Sequence, residues 1–231
     1  MIKRISQMLL MPLFYCQGWH VRRTVPKMDE PNGNRYGETG MGKNLKLLVL
    51  GDSSAAGVGV KHQKFALLGR LVNQLSKQRR VQWRLHAKSG ATTEDAILQM
   101  DQLANEQYDV VISALGVNDV TGLVEVDEWL DLQHILRDKI QRKFAPRLIL
   151  HTAIPPIDRM TALPQPLKWF MADRGREFDR ALKYSCDRYS QHFRLALPPN
   201  KSMVAMDGFH PGRIMYRIWA KQAAKRILTS I

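Results

Sequence analysis

A doubly wound, three-layer α/β/α fold is what the sequence predicts, with a mainly parallel sheet of about five strands from Leu45 onward. Three features carry that expectation. Short, nearly continuous apolar runs, such as Leu45 to Gly51 and Tyr108 to Leu115, have strand length and stop at Gly or Asp. Longer stretches with apolar residues at helical spacing separate them, as at Phe65, Leu68, Leu71, Val72 and Leu75. Strands that alternate with helices in this way imply parallel pairing, with helices covering both faces.

The remaining elements follow in order. Val81 to Ala87 reads as a second strand, and Thr92 to Leu103 as a helix with Thr and Asp at its start. After the third strand at Tyr108 to Leu115, a helix is expected from Val126 to Arg142. The fourth strand runs from Arg147 to Ala153 and is stopped by Pro155 and Pro156. A long helix from about Leu167 to Tyr189 leads to a short last strand, Phe193 to Leu197. The C-terminal helix places Ile214, Met215, Ile218, Trp219 and Ile227 on one face. Residues 45–231 are thus expected to form one domain, preceded by an extension over residues 1–44.

The extension opens with Lys3 and Arg4 and an apolar run from Ile5 to Tyr15, broken by Ser6, Gln7 and Pro12. The run is too short to span a bilayer, which takes about 20 apolar residues. Arg22, Arg23 and Lys27 follow it, and no small-residue cleavage site is present. The expected reading is a short amphipathic segment that docks on its own domain or rests on a membrane surface. Residues 29 to 43, rich in Gly, Asn and Pro, read as an irregular lead-in. The expected location is cytoplasmic, with peripheral membrane contact; export through this segment is the alternative.

Composition narrows the function classes. Of 231 residues, 45% are apolar and 24% charged, the balance of a folded globular chain. Cys16 and Cys186 are isolated, and the histidines show no short ligand spacing, so neither disulfide framework nor metal nor other cofactor is expected. A net charge of +14 suits a polyanionic partner or simply a basic solvated surface. No helix-turn-helix, zinc-finger or aromatic RNA-binding signature accompanies it, and no nucleic-acid partner is expected.

In an open parallel sheet, chemistry lies beyond the carboxyl ends of the strands. The groups found there are Gly51-Asp52-Ser53, Ser89-Gly90 and Gly116-Val117-Asn118-Asp119. Ser53 sits where a strand turns into the next segment, a position that suits a nucleophile. A serine hydroxyl needs a base, and Asp207-Gly208-Phe209-His210-Pro211 supplies His210 with a carboxylate on the same loop. The Ser53 N–H, the Gly90 N–H and the Asn118 amide are the expected oxyanion donors. Asp52 and Asp119 are expected to brace the loops. Trp169, Phe170 and Met171, after Pro164 and Pro166, are candidates for the border of an acyl pocket; the alternative is that they pack the long helix.

These blocks resemble the SGNH, or GDSL-type, hydrolases. Gly51-Asp52-Ser53 is similar to the first block of that family, Ser89-Gly90-Ala91-Thr92 to the glycine block, Gly116 to Asp119 to the third, and Asp207 to Pro211 to the last. The resemblance covers Leu45 to the C-terminus and departs at Ser54, where an apolar residue often follows the serine. It implies a flavodoxin-like sheet and hydrolysis of a small acyl ester, thioester or lipid through an acyl-serine intermediate. The G-x-S-x-G elbow of the α/β-hydrolases is missing, because the turn reads Gly51-Asp-Ser-Ser-Ala55. Two alternatives stand beside ester hydrolysis. One is acyl transfer from the same site; the other is a non-catalytic membrane- or polyanion-binding protein on this scaffold.

Overall fold

The computed structural model describes residues 9–197 and 203–231. Its centre is a six-stranded sheet in the order β1-β3-β2-β4-β5-β6. The strands are β1 (Tyr36–Thr39), β2 (Lys43–Gly51), β3 (Arg79–Ala87), β4 (Val110–Ala114), β5 (Leu148–Thr152) and β6 (His192–Leu195). All neighbours pair in parallel except β1, which runs antiparallel along the free edge of β3. The five expected strands are present, and β1 is an addition. Its four residues, Tyr36-Gly-Glu-Thr39, lie within the stretch expected to be irregular and bury no side chain fully. An exposed four-residue edge has no apolar alternation to announce it.

β2 alternates strictly. Leu45, Leu47 and Val49 face one core cluster, while Leu48 and Leu50 face another. On the first side lie α3 (Leu67–Leu75) and α8 (Arg213–Ser230), and on the second α4 (Thr93–Gln99) and α6 (Val126–Phe144). The helix α7 (Leu167–Cys186) packs beside α6, and a third cluster joins them through Trp129 and Phe178. Every residue of β4 and β5 is buried, as parallel strands covered on both faces require.

The C-terminal helix turns a somewhat different face inward than expected. Its buried stripe runs through Met215, Tyr216, Trp219, Ala220, Ala223, Ala224 and Ile227, and Ile214 falls outside it in solvent. The alanines bring the helix close to the sheet, and Tyr216 enters the core because its hydroxyl finds partners there.

The first helix, α1 (Met11–Thr24), starts with Pro12 in its first turn, where a missing N–H costs nothing. It packs on α7: Phe14 is buried and stacks on Phe170 with ring centroids 4.5 Å apart. Gln17 secures the contact, donating to the Gln165 carbonyl (2.7 Å) and accepting from the Leu167 N–H (3.0 Å). The part of the expected apolar run before Leu9, with Lys3 and Arg4, lies outside the described residues. Among the described residues no helix is long and apolar enough to cross a membrane.

Candidate active site

The sheet order places β2 between β3 and β4, so the chain leaves β2 to one side and later returns on the other. That reversal opens a crevice at the carboxyl ends of β2 and β4. Gly51 ends β2 opposite Ala114, and the Asp52 N–H donates to the Ala114 carbonyl at 3.1 Å. A side chain at Gly51 would meet that carbonyl oxygen at 2.3 Å and Ala55 Cβ at 2.7 Å, so the close approach demands glycine. The chain then turns into α2 (Ser53–Ala56). Asp52 caps this turn, accepting from the Ser54 N–H (2.8 Å) and the Ser54 hydroxyl (2.7 Å). Ser53 therefore opens a helical turn, where backbone N–H groups have no partner inside the helix.

The loop before α8 brings the base. Met203 and Val204 fold back on the residues after His210: Gly212 N–H reaches the Met203 carbonyl at 2.6 Å, and Ala205 N–H the His210 carbonyl at 2.7 Å. Gly208 sits at φ +69°, and a Cβ there would meet Thr161 Oγ1 at 2.4 Å. Within this turn Asp207 Oδ1 accepts from the N–H groups of Phe209 and His210, both at 3.0 Å. Its other oxygen, Oδ2, lies 2.5 Å from His210 Nδ1. His210 Nε2 lies 2.9 Å from Ser53 Oγ, which completes a continuous chain from carboxylate to hydroxyl.

Burial alone would push the Asp207 carboxyl up. The bonds from His210 and from the two backbone N–H groups outweigh it and hold the group below the usual carboxylate range. Asp52 shows the opposite balance: burial raises it more than its bonds to Ser54 lower it. Tyr216 locks the two halves of the site together. Its buried hydroxyl lies 2.6 Å from the Val58 carbonyl and 3.0 Å from that of Ser54, so α8 holds the segment that carries Ser53.

From the end of β4, α5 (Val117–Thr121) supplies Asn118 and Asp119. Asn118 Nδ2 donates to the Ala91 carbonyl at 2.9 Å; an amide has two such protons, so a second N–H remains. Asp119 is buried and accepts from the Thr93 N–H (3.1 Å) and the Thr93 hydroxyl (3.0 Å). Thr93 Oγ1 in turn accepts from Trp129 Nε1 and Gln133 Nε2, each at 3.1 Å. One buried hydroxyl therefore ties α4, α5 and α6 together. Burial is the main cause of a raised Asp119 carboxyl, and the Thr93 bonds offset it only in part.

Ser53, Asn118 and His210 line one cavity of about 70 Å³. Most of its remaining wall is apolar, formed by Leu115, Met160, Leu197, Phe209, Met215 and Trp219. The profile of the GDSL-like lipase/acylhydrolase family matches residues 49–218 of this chain. The chain belongs to that family.

Solved structures agree on the fold of this GDSL-like hydrolase. TesA is 18% identical with a TM-score of 0.64, over 80% of this chain and 99% of that one. The esterase EstA from Pseudoalteromonas sp. is 17% identical with a TM-score of 0.60, covering 80% and 97%. A carbohydrate esterase family 2 enzyme from Corynascus thermopiles (Myceliophthora fergusii) is 15% identical with a TM-score of 0.65, covering 89% and 68%. Comparison with curated proteins gives no match.

Two sequence-predicted groups of the GDSL-like hydrolase fall elsewhere. Gly90 is exposed and does not line the cavity. It occupies the third position of a turn closed by Ala91 N–H to the Lys88 carbonyl (3.1 Å), where its φ of +82° is the value a type II turn needs. Its link to the site is indirect, through Asn118 and the Ala91 carbonyl. Trp169, Phe170 and Met171 do not border the cavity either. α7 turns Phe170 and Met171 toward the groove beneath α1, because Phe14 supplies the partner for Phe170. The cavity wall comes instead from Met160, Leu197, Met203, Val204 and the buried stripe of α8. Met215 and Trp219 carried a helical-face signal in the sequence, and nothing there distinguished a pocket wall from plain core.

Proposed function

We propose that this GDSL-like hydrolase cleaves carboxylic esters through an acyl-serine intermediate. Ser53 Oγ attacks the acyl carbon while His210 Nε2 takes its proton, and Asp207 holds the ring and stabilises the imidazolium. His210 then returns the proton to the leaving alcohol. Water, activated by the same nitrogen, attacks the acyl-enzyme and releases the acid. The tetrahedral oxyanion is met by the Ser53 N–H and the free N–H of Asn118, with Gly90 shaping the loop that Asn118 holds. Asp52 and Asp119 keep the strand ends in place and do not take part in proton transfer, since their bonds run to Ser54 and Thr93.

The observation that carries this reading is the unbroken contact from Asp207 through His210 to Ser53, at 2.5 and 2.9 Å, on an apolar cavity at the sheet's switch point. The apolar wall matches an acyl chain. A series of p-nitrophenyl esters of increasing acyl length, run on the wild type and on Ser53→Ala, tests it. Turnover by the wild type and its loss in Ser53→Ala are expected; equal turnover by both proteins overturns the assignment.

A further inference from the structure

The helix α1 carries large apolar side chains on its outer face as well as on the side its own domain covers. α1 presses Phe14 into α7, with Met11 and Val21 partly buried beside it, while its opposite face stays open. Leu9 is 77% exposed, Leu13 41%, Tyr15 66% and Trp19 58%. Large apolar side chains gathered this way on a short segment mark a contact surface. The helix is not loosely placed, since the Phe14–Phe170 stack and both Gln17 bonds fix which face looks outward.

Charge identifies the partner. Residues 1–28 contain Lys3, Arg4, Arg22, Arg23 and Lys27 and no acidic residue. The Arg23 guanidinium lies over the Trp19 ring at 3.9 Å, so cation and aromatic are presented as a unit. A second copy of the chain would set this cationic face against itself. A nucleic acid would satisfy the arginines and leave Leu9 and Leu13 in water. An anionic lipid surface satisfies both sets, with Leu side chains below the headgroups, Trp and Tyr at their level, and arginines against the phosphates.

We propose that the outer face of α1 docks this protein on an anionic lipid surface. The place on the fold gives the contact a use. Thr121, the last residue of the short helix α5 that carries Asn118, and Leu123 just after it line the groove beneath α1, so α1 is seated against an element of the ester site. Docking itself does not depend on the ester chemistry, and Ser53→Ala should dock as the wild type does.

The test uses the full chain in flotation with phosphatidylcholine vesicles, with and without phosphatidylglycerol. Binding is expected only with phosphatidylglycerol and should fall steeply with added salt. Arg22→Gln with Arg23→Gln should weaken it about thirtyfold, from the loss of two cations at the surface. Leu13→Ser with Trp19→Ser should weaken it by about tenfold or more. Both double variants should keep the thermal midpoint and the hydrolysis of a water-soluble p-nitrophenyl ester. Failure of the wild type to float with anionic vesicles overturns the proposal, as does equal flotation by wild type and variants. Two other results replace the lipid as partner. One is a dimer in sedimentation that Leu13→Ser with Trp19→Ser converts to monomer. The other is oligonucleotide binding that needs the arginines but not Leu13 and Trp19.

Discussion

Replacing Asp207 by Asn changes one atom of the carboxylate and separates its two duties. Oδ1 accepts two backbone N–H groups, and an Asn oxygen can keep both bonds. Oδ2 faces His210 Nδ1 at 2.5 Å, and an amide NH₂ there sets donor against donor. The ring must turn or adopt the wrong tautomer, and the imidazolium formed during attack loses its counter-charge. The Asp207 side chain is 0% exposed, so water cannot step in. A triad that loses its carboxylate in this way slows by about 10³–10⁴, or roughly 4–5.5 kcal/mol of transition-state stabilisation. Asp207 touches no substrate, so kcat should carry the loss and KM stay near its wild-type value. Asp207→Ala supplies the contrast. It should lose the same activity and also strand two N–H groups, lowering stability by about 2–4 kcal/mol. Steady-state kinetics on a p-nitrophenyl ester and thermal melts of the two variants separate these effects. If Asp207→Asn keeps activity within tenfold of wild type, Asp207 does not orient the base.

Further outcomes follow from the same geometry. Tyr216→Phe removes the hydroxyl that serves the Ser54 and Val58 carbonyls and should cost about 1–2 kcal/mol in chemical denaturation. Thr93→Val leaves Asp119, Trp129 and Gln133 without their shared partner and should cost about 3–5 kcal/mol, whereas Thr93→Ser keeps the hydroxyl and stays near wild type. The lowered Asp207 carboxyl contributes stability that is present above the ordinary aspartate value of about 3.9 and is lost as pH falls through its lowered native value. Urea midpoints of Asp207→Asn should therefore fall less on acidification than those of wild type. Gly51→Ala forces β2 away from the Ala114 carbonyl and should abolish ester turnover before it abolishes helical circular dichroism.

Most of the frame was legible because it rests on periodicity. The near-continuous apolar runs at 45–51, 108–115 and 147–153 are what parallel strands buried on both faces look like, and the sheet order then fixes the crevice. Ser53, Asn118 and His210 were legible for a related reason: each follows a strand or loop whose end is marked by glycine, and their chemical types complement one another. What escaped was contact decided across long stretches of chain. β1 joins the sheet by its pairing with β3, more than 40 residues further along the chain. Phe170 was read as an acyl-pocket candidate, but its orientation depends on Phe14, far away in sequence. The Asp119–Thr93–Trp129–Gln133 network joins residues with no shared pattern. Gly90 was read as an oxyanion donor, whereas its φ of +82° serves a turn outside the cavity lining.

The tie between Ser53 and His210 spans 157 positions along the chain, and Tyr216 extends it by further bonds to Ser54 and Val58. Such a contact pays its loop-closure entropy only once the intervening strands have assembled. A growing chain that has already formed β2 through β6 still carries an inert serine. Ser53 gains its base only when the loop before α8 closes on the end of β2. Ester turnover therefore reports that α8 is in place against β2, and removal of residues 213–231 should abolish it.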